Sequence, residues 1–442
     1  MADRRKSTNP RGPDSRWSSL VSFDSIPVFA RGPSALTLAT TVVSQGLLVV
    51  SGIIAARALG VEGRGTLALL WLVPLSIVLL GGIGIPQATT YYVAREKRNP
   101  AAVVAMSVKL TIAIAAVLLV AYGTGLFLIG DVGGDFSSTD ALLSICLILP
   151  FLWLNLGIAV LLGMESFAAF NLGRFIAPLL YALSTAVLLA AGGATLTALL
   201  AASLASFAVG AIITWILVLR RNLPGQGPAD TNSRKIASFG LRGVVGSTST
   251  ITDVRADQLL VGALMDARAL GIYVVAIAFS NLPRFVAQSF GSVAFPRIAS
   301  ADSEAARWAT TIRAARIGVL AIAAFTAALI VALPVLIPLL FGDEFRDAIG
   351  VGRILLVAAF FLSTHRLLTE LARGLGHPGY GSITEVLNGL VFFAGVLVFA
   401  TPASENGIAL AVLAGGIASS LLLSLLLIRL KRLPLDEGRV ER

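Results

Sequence analysis

The polar residues best suited to bind a ligand lie on one side of an otherwise apolar segment. Four of them recur at the spacing that places side chains on one face of a helix. They are Asn281, Arg284, Gln288 and Ser292. A guanidinium presents a fixed fork of donors that matches phosphate oxygens, so we interpret Arg284 as an anion-binding residue. Pro283 lacks a backbone donor and predicts a kink or break in the helix just before Arg284.

A second group of ionisable residues precedes this segment. Asp253 and Asp257 are one helical turn apart and share a face, whereas Arg255 points away from them. An ionisable side chain at mid-bilayer costs about 2.5–3.5 kcal/mol, so each one needs a partner or water. We expect these residues to line a cavity together with Arg284. The alternative is an ion-paired packing contact, including a pair between Arg284 and one of the acids.

Single ionisable residues in other apolar segments are weaker candidates. Lys109 and Arg174 are the intramembrane cations of the first half of the chain, and each either lines the cavity or is structural. Glu385, close to Asn388, is either a proton or cation site or a hydrogen-bonded packing residue. The candidates for ion coupling are Asp253, Asp257 and Glu385.

The histidines and the cysteine bear on metal and catalytic sites. His365 and His377 are the only histidines, and neither has the spacing of a metal site or a catalytic triad. We interpret both as ordinary polar residues near one membrane face. Cys146 is the only cysteine, which excludes disulfides and thiolate metal sites. We therefore predict no metal, no catalytic residue and no cofactor. The intramembrane charges are more cationic than anionic, which favours a substrate that carries phosphate or uronate.

Composition places all of these residues in a membrane. The chain is 56% hydrophobic and 13% charged, with a mean hydropathy of +0.87, so it falls outside the soluble class. About twenty apolar residues cross a bilayer core of roughly 30 Å, and about twelve runs of that length predict twelve membrane helices. The predicted spans are 35–59, 66–93, 101–129, 139–162, 168–191, 194–219, 237–264, 269–295, 315–341, 347–372, 379–400 and 405–428.

The distribution of basic residues predicts the orientation. The net charge is +10, and most of the 34 Lys and Arg residues fall in the two tails and in alternate loops. This is the positive-inside pattern, so we predict a multi-pass protein of the cytoplasmic (inner) membrane with both termini in the cytoplasm. The basic excess then reflects topology and attraction to anionic lipids rather than nucleic-acid binding. The residues predicted to lie in the opposite loops are Arg57, Arg64, Arg268 and Arg346.

The chain divides into two halves of six spans each. The predicted parts are a disordered basic tail (1–34), a first lobe (35–219), a cytoplasmic linker (220–236), a second lobe (237–428) and a basic tail (429–442). The pentapeptide Ala-Arg-Ala-Leu-Gly occurs at 56–60 and again at 267–271, each time between two apolar runs. Six spans per lobe give a parallel repeat with its pseudo-two-fold axis along the membrane normal. We therefore predict an all-α polytopic membrane fold of two six-helix lobes.

The two pentapeptide copies are expected at equivalent turns on the outer face. The helices around the second copy contain the ionisable residues described above, from Asp253 to Arg284. The helices around the first copy have no predicted ionisable residue in their membrane core. This asymmetry points to the second lobe as the location of the site.

Short motifs in both halves resemble those of a known family. Residues 55–65 (AARALGVEGRG) and 84–88 (GIPQA) resemble the opening of bacterial oligosaccharide (lipopolysaccharide, O-antigen) flippases. These belong to the multidrug/oligosaccharidyl-lipid/polysaccharide exporter superfamily. In the second half, 255–257 (RAD), 270–276 (LGIYVVA) and 295–299 (FPRIA) look like the same family. The resemblance covers all twelve predicted spans in order.

The resemblance implies a V-shaped pair of six-helix bundles. It implies that they move an undecaprenyl-pyrophosphate-linked glycan from the inner to the outer leaflet, for cell-surface polysaccharide synthesis. By the same resemblance, Arg255, Asp257 and Arg284 line the central cavity, and a loop with Arg57 and Arg64 lies on the outer side. Glycosyltransferases and a polymerase of the same pathway are the implied partners. The candidate driving force is a proton or sodium gradient.

Two other functions stay open. A cation-coupled multidrug antiporter of the same superfamily needs acidic residues for its cation, but the first span has none and the predicted cavity is net basic. A membrane-embedded polysaccharide polymerase or ligase is expected to have a large outer loop with catalytic residues. The longest predicted outer loop, about 130–138, has only Asp131 and Asp135 as ionisable residues. We therefore predict a transporter rather than an enzyme.

Overall fold

The computed structural model describes residues 33–82, 84–96, 99–129, 136–221, 223, 225, 232–246, 255–399 and 404–432. The predicted tail at 1–34 lies outside these ranges except for its last two residues, and Asp253 also lies outside them. Over these ranges the chain forms α-helices and one short 3-10 turn, with no β-strand. The all-α prediction is confirmed.

The helices follow the apolar runs because a backbone in hydrocarbon must pair its own polar groups. In chain order they are α1 (Pro33–Gly81), α2 (Ile85–Arg95), α3 (Pro100–Ile129), α4 (Ser138–Cys146), α5 (Ile148–Gly163), α6 (Phe167–Ala190), α7 (Leu196–Leu219), α8 (Ser233–Gly246), α9 (Ala256–Leu264), α10 (Ala267–Ser280), α11 (Leu282–Ala299), α12 (Glu304–Phe341), α13 (Ala348–Gly374), α14 (Gly379–Phe399) and α15 (Glu405–Arg432).

Ten segments of the described chain are long and apolar enough to cross a membrane. One of them, Ala39–Gly81, contains most of the first predicted span and most of the second. The seventh predicted span is divided between α8 and α9, with residues 247–254 outside the described ranges. The ten segments and the α8–α9 pair together accommodate the twelve predicted spans.

The first two spans meet at a single residue, Gly60, inside α1. Its φ of 68° and ψ of −172° lie in a region that only glycine adopts readily. The Arg64 guanidinium lies near Gly52, which shows that the two halves of α1 fold back on each other. In a straight helix these two residues would stand roughly 18 Å apart along the axis. The predictions place an outer loop at 60–65, between the first two spans. This prediction is wrong, because the helix resumes at residue 61.

Among the described side chains, one apolar cluster joins the two lobes at one end of the protein. We call the face where α1 turns at Gly60 and α12 ends at Phe341 the Gly60 end, and the opposite face, where α2 ends, the Arg95 end. The predicted second lobe (237–428) includes most of α8, but α8 packs on α2 of the first lobe, where Phe239 stacks on Tyr91. Here the first lobe therefore means α1–α7 and the second lobe α9–α15.

At the Gly60 end one cluster of buried side chains combines Val61 and Ala68 with Phe341 and other second-lobe residues. At the Arg95 end the described side chains form separate clusters, one with α8 on the first lobe and one in the second lobe. The lobes therefore close against each other at the Gly60 end.

Two glycines place the lobes in backbone contact at this end. A Cβ atom added to Gly65 would lie 1.7 Å from the carbonyl oxygen of Ala267, and one added to Gly271 would lie 2.1 Å from that of Val61. Gly271 is the last residue of the second pentapeptide copy. No side chain fits between the second half of α1 and α10, so the crossing requires glycine on both helices.

Arg57 adds a polar tie between the lobes beside this crossing. Its guanidinium donates to the carbonyl oxygens of Leu340, at 2.7 Å, and of Leu339. These carbonyls belong to the last turn of α12, where no further helical N–H is available, and a cation there also favours the helix dipole. Arg268 occupies the same position in the second pentapeptide copy. It pairs instead with Asp347 of its own lobe, at 2.9 Å.

The glycine crossing predicts a specific destabilisation. Gly65→Ala or Gly271→Ala should lower the free energy of unfolding by about 1–3 kcal/mol, because the added methyl group overpacks a backbone contact. Thermal unfolding of the purified protein measures this change. Gly46→Ala is the control, because a Cβ at Gly46 on the same helix α1 would meet nothing within 4 Å. Melting temperatures at or above that of the Gly46→Ala variant would contradict the proposed role of the crossing.

Candidate functional site

The predicted polar stripe forms one exposed face of α11. Asn281, just before the helix, and the three stripe residues within it are all exposed. A neighbouring face of the same helix is buried and packs against the second lobe; its residues include Pro283, Ala287, Gly291 and Ala294. The helix breaks at Asn281, and Pro283 occupies its first turn, as expected for a residue without a backbone donor. Arg284 thus stands on an open polar face directly after a helix break.

The segment with Arg255 and Asp257 is not a continuous helix. Arg255 has a φ of 55° and a ψ of 48°, a left-handed conformation that is uncommon for a residue other than glycine, and α9 starts immediately after it. The expectation that Asp253, Arg255 and Asp257 share one regular helix is therefore wrong at Arg255. Strained backbone of this kind is concentrated at functional sites in proteins.

Asp257 is held by its neighbours in the second lobe. The Tyr273 hydroxyl donates a hydrogen bond to Asp257 Oδ2 at 2.9 Å, and the Tyr273 side chain is fully buried. The carboxylate also accepts from the backbone N–H of Gln258 and interacts electrostatically with Arg255. These contacts already engage this acid, so it balances only part of the positive charge around it.

Arg64 lies beside these residues, although its sequence position suggested an outer loop. Its guanidinium extends from the second half of α1 toward Gly52, about 12 Å from the Gly60 turn at 1.5 Å per residue. Its Nε atom is buried and has no hydrogen-bond acceptor among the described residues. The guanidinium interacts electrostatically with Arg255 and with Tyr181 of α6. A buried donor without an acceptor is costly, so this position favours an oxygen-rich ligand.

Arg64, Arg255 and Arg284 form what we call the basic cluster. Arg255 is within electrostatic range of both other arginines, and the arginines repel one another. Asp257 is the acid that acts on this cluster in the described chain. Arg64 belongs to the first lobe, whereas Arg255 and Arg284 belong to the second. The prediction that the helices around the first pentapeptide copy bring no charge into the membrane core is therefore wrong.

The other predicted site residues lie elsewhere. Arg174 packs its guanidinium over the Phe170 ring, 5.3 Å from the ring centroid, which is a cation–π contact on its own helix. Lys109 is exposed on the side of α3 that also carries exposed apolar residues such as Ile112. In the described chain no ion pair joins either residue to the basic cluster. Glu385 lies within the second lobe beside His365.

Sequence reasoning missed Arg64 because hydropathy places a charged residue at the edge of a span. The local sequence Gly63-Arg64-Gly65 did contain a signal. Glycine is used where another backbone approaches closely, as α10 does at Gly65. Had these glycines been interpreted as a contact between the two lobes, Arg64 would have been predicted at the interface.

A family model described as polysaccharide biosynthesis protein matches residues 54–350, which is more than half of the chain. The chain belongs to the polysaccharide biosynthesis protein family. The matched region begins in α1 and ends in α13, so it includes every residue of the basic cluster. No curated protein sequence matches this chain significantly.

Solved structures show which fold this polysaccharide biosynthesis protein has. It is similar to an inward-facing multidrug resistance MATE family transporter of the MOP superfamily, with 16% identity, 88% of this chain and 94% of that chain covered, and a TM-score of 0.66. It is similar to the lipid II flippase MurJ in an inward closed conformation, with 14% identity and a TM-score of 0.65. This match covers 91% of this chain and 88% of the MurJ chain. An outward-facing multidrug resistance MATE family transporter matches with 15% identity and a TM-score of 0.60. This match covers 90% of this chain and 94% of the transporter chain.

These similarities confirm the resemblance to flippases of the multidrug/oligosaccharidyl-lipid/polysaccharide exporter superfamily. They also confirm the all-α polytopic membrane fold with its two lobes. The ten apolar helices of membrane length and this shared fold indicate a multi-pass membrane protein.

The open face of α11 predicts a pattern of thiol reactivity. In a Cys146→Ser background, Gln288→Cys and Ser292→Cys should react about tenfold faster with a hydrophilic maleimide than buried or lipid-facing thiols, because the reactive thiolate forms in water. Ala287→Cys is the buried control on the same helix. Leu397→Cys is the apolar control, since Leu397 is 80% exposed among other exposed apolar side chains of α14. Equal rates at all four positions would contradict a water-accessible stripe.

Proposed function

We propose that this protein moves a polyprenyl-pyrophosphate-linked oligosaccharide across the cytoplasmic membrane. The observation that carries the proposal is the basic cluster, to which both lobes contribute guanidiniums and in which Arg64 Nε is buried without an acceptor among the described residues. Asp257, which acts on Arg255, is already engaged by Tyr273. A ligand suited to this cluster supplies negative charge and several acceptor oxygens. A pyrophosphate supplies both, and guanidinium forks match its geometry.

The position of the cluster also suits a lipid-linked substrate. Arg64 and Arg255 lie within the membrane-spanning part of the protein, where a pyrophosphate would need compensation for its lost water. The undecaprenyl tail can stay in the bilayer beside the protein. The exposed amide and hydroxyl groups of Gln288 and Ser292 are suited to hydrogen-bond a glycan on the same face of α11.

Alternating access follows from the way the lobes meet. In the described arrangement the Gly65–Gly271 crossing and Arg57 close the Gly60 end, while the lobes have separate apolar cores at the Arg95 end. We propose that the Gly60 end faces outward, because basic residues concentrate at the opposite end. Among those of the described chain are Arg95, Arg220, Arg221, Arg234, Lys235, Arg307, Arg313, Arg429, Lys431 and Arg432. In that orientation the exposed face of α11 that carries Arg284 would be reached from the cytoplasm, and separation of the lobes at Gly60 would release the substrate outward.

Energy coupling in this proposal requires no cofactor. A proton or sodium gradient is the proposed driving force, and Asp253, Asp257 and Glu385 are the candidate coupling residues. Glycosyltransferases and a polymerase of the same pathway are the proposed partners. A cationic drug is the less favourable substrate, because the basic cluster repels it.

Substitution of the basic cluster should weaken substrate binding. A hydrogen bond to a charged group contributes about 1.5–3 kcal/mol, so Arg64→Ala or Arg284→Ala should raise the Kd for undecaprenyl pyrophosphate roughly 10- to 150-fold. Lysine at either position should restore binding only in part, because the donor fork is lost. Titration of the protein in nanodiscs with undecaprenyl pyrophosphate measures the Kd, and undecaprenol controls for binding of the tail alone.

Arg268→Ala is the matched control, since Arg268 forms an exposed ion pair outside the cluster. It should leave the Kd unchanged. In cells that depend on the Arg284→Ala variant, lipid-linked glycan should accumulate on the cytoplasmic side. Full binding and export by well-folded Arg64→Ala and Arg284→Ala variants would overturn the proposed function.

A further inference from the structure

Tyr273 of α10 places its hydroxyl against the acid that borders the basic cluster. The hydroxyl donates to Asp257 Oδ2 at 2.9 Å. The ring is fully buried and belongs to the apolar cluster that joins the two lobes. A ring packed in this way cannot shift without opening a cavity, so the hydroxyl oxygen has a fixed position. Tyr273 therefore presents one donor at a fixed point beside Asp257.

The carboxylate of Asp257 is held by neutral donors. Asp257 lies in the first turn of α9, where the backbone N–H groups have no acceptor within the helix. Its carboxylate accepts from the N–H of Gln258 and from its own N–H, in addition to the Tyr273 hydroxyl. None of these three donors carries a charge. The negative charge of Asp257 is thus stabilised by hydrogen bonds that do not use a guanidinium.

Arg255 lies two residues before Asp257 and is not directly paired with it. The ion pairs among the described residues do not include one between these two side chains. The two charges nevertheless act on each other electrostatically. Because the acid is occupied by other donors, it does not take up the donor fork of Arg255. That fork can then serve a ligand with phosphate oxygens.

Removal of the Tyr273 hydroxyl would change this arrangement. Tyr273→Phe keeps the ring and its packing, but it leaves Asp257 Oδ2 without its side-chain donor. A carboxylate that loses a donor where water is scarce is costly, so it must find another. Arg255 is the charged donor that already acts on Asp257. A direct pair between them would satisfy the carboxylate, and an anionic ligand would then compete with Asp257 for the guanidinium.

We propose that Tyr273 is a positioning residue that keeps Arg255 available to the anionic ligand by occupying Asp257. Its ring is fully buried, so Tyr273 acts through Asp257 rather than by touching the ligand. An acid held beside the arginines, but not paired with Arg255, lowers the repulsion among them without closing the site. The identity of the ligand, a polyprenyl pyrophosphate, rests on the proposed function.

Equilibrium binding tests this role through a rescue that a structural role would not produce. In nanodiscs without an ion gradient, Tyr273→Phe should raise the Kd for undecaprenyl pyrophosphate about tenfold, because one charged hydrogen bond to the ligand is weakened. Adding Asp257→Asn to this variant should return the Kd to the native value or below it, since an amide does not attract Arg255. Tyr122→Phe is the control, because it removes a buried tyrosine hydroxyl that contacts Ser144 in the first lobe.

The control should bind like the native protein. An unchanged Kd in Tyr273→Phe would overturn the positioning role. A double variant that binds as weakly as Tyr273→Phe would also overturn it, because the loss would then come from damaged packing rather than from Asp257.

Chemical modification tests the same role without any substrate. Phenylglyoxal reacts with guanidiniums, and pairing with a carboxylate slows this reaction. Mass spectrometry of the peptide that contains Arg255 should show slower modification in Tyr273→Phe than in the native protein, and native rates after Asp257→Asn is added. Arg268, which pairs with Asp347 outside the basic cluster, is the internal reference.

Equal rates at Arg255 in the native protein and in Tyr273→Phe would overturn the positioning role. A native protein that does not bind undecaprenyl pyrophosphate would instead overturn the proposed function, and the modification rates would still decide the role of Tyr273.

Discussion

The backbone contact between Gly65 and Gly271 determines the relation of the two lobes. Because no side chain separates the helices there, the backbones of α1 and α10 are in direct contact. Arg64 precedes Gly65 by one residue, so this approach carries its guanidinium into the range of Arg255. The Tyr273 side chain that holds Asp257 starts only two residues after Gly271. A packing constraint at the Gly60 end therefore assembles the polar groups deeper in the protein.

The basic cluster and the apolar contacts around the crossing act against each other. Like charges from two lobes repel, and this repulsion is strong where water is scarce. The shared apolar cluster and the Arg57 contact with α12 oppose it in the described arrangement. An anion between the arginines would reduce the repulsion and reinforce closure around itself. The fold thus makes the balance between its two lobes sensitive to the charge that lies between them.

Hydropathy and periodicity predict much of this architecture. They locate the apolar helices and the polar face of α11, because both depend only on the order of residues along one helix. They fail for Arg64, since a window average cannot show that Gly60 turns the chain within one residue. They also fail for Arg255, whose left-handed backbone has no counterpart in side-chain pattern. The partners of His365 are set by the packing of α13 on α14, which no single helix encodes.

The duplicated pentapeptide ends in glycine in both copies, but for unrelated reasons. Gly60 is required by its own torsion angles, which a side chain strains in any surroundings. Gly271 has helical torsion angles, and only the backbone opposite it excludes a side chain. A second change on α1 that moved this backbone away could make room for a larger residue at 271. No change elsewhere in the protein could do the same at 60, so the two copies are free to diverge at only one of these glycines.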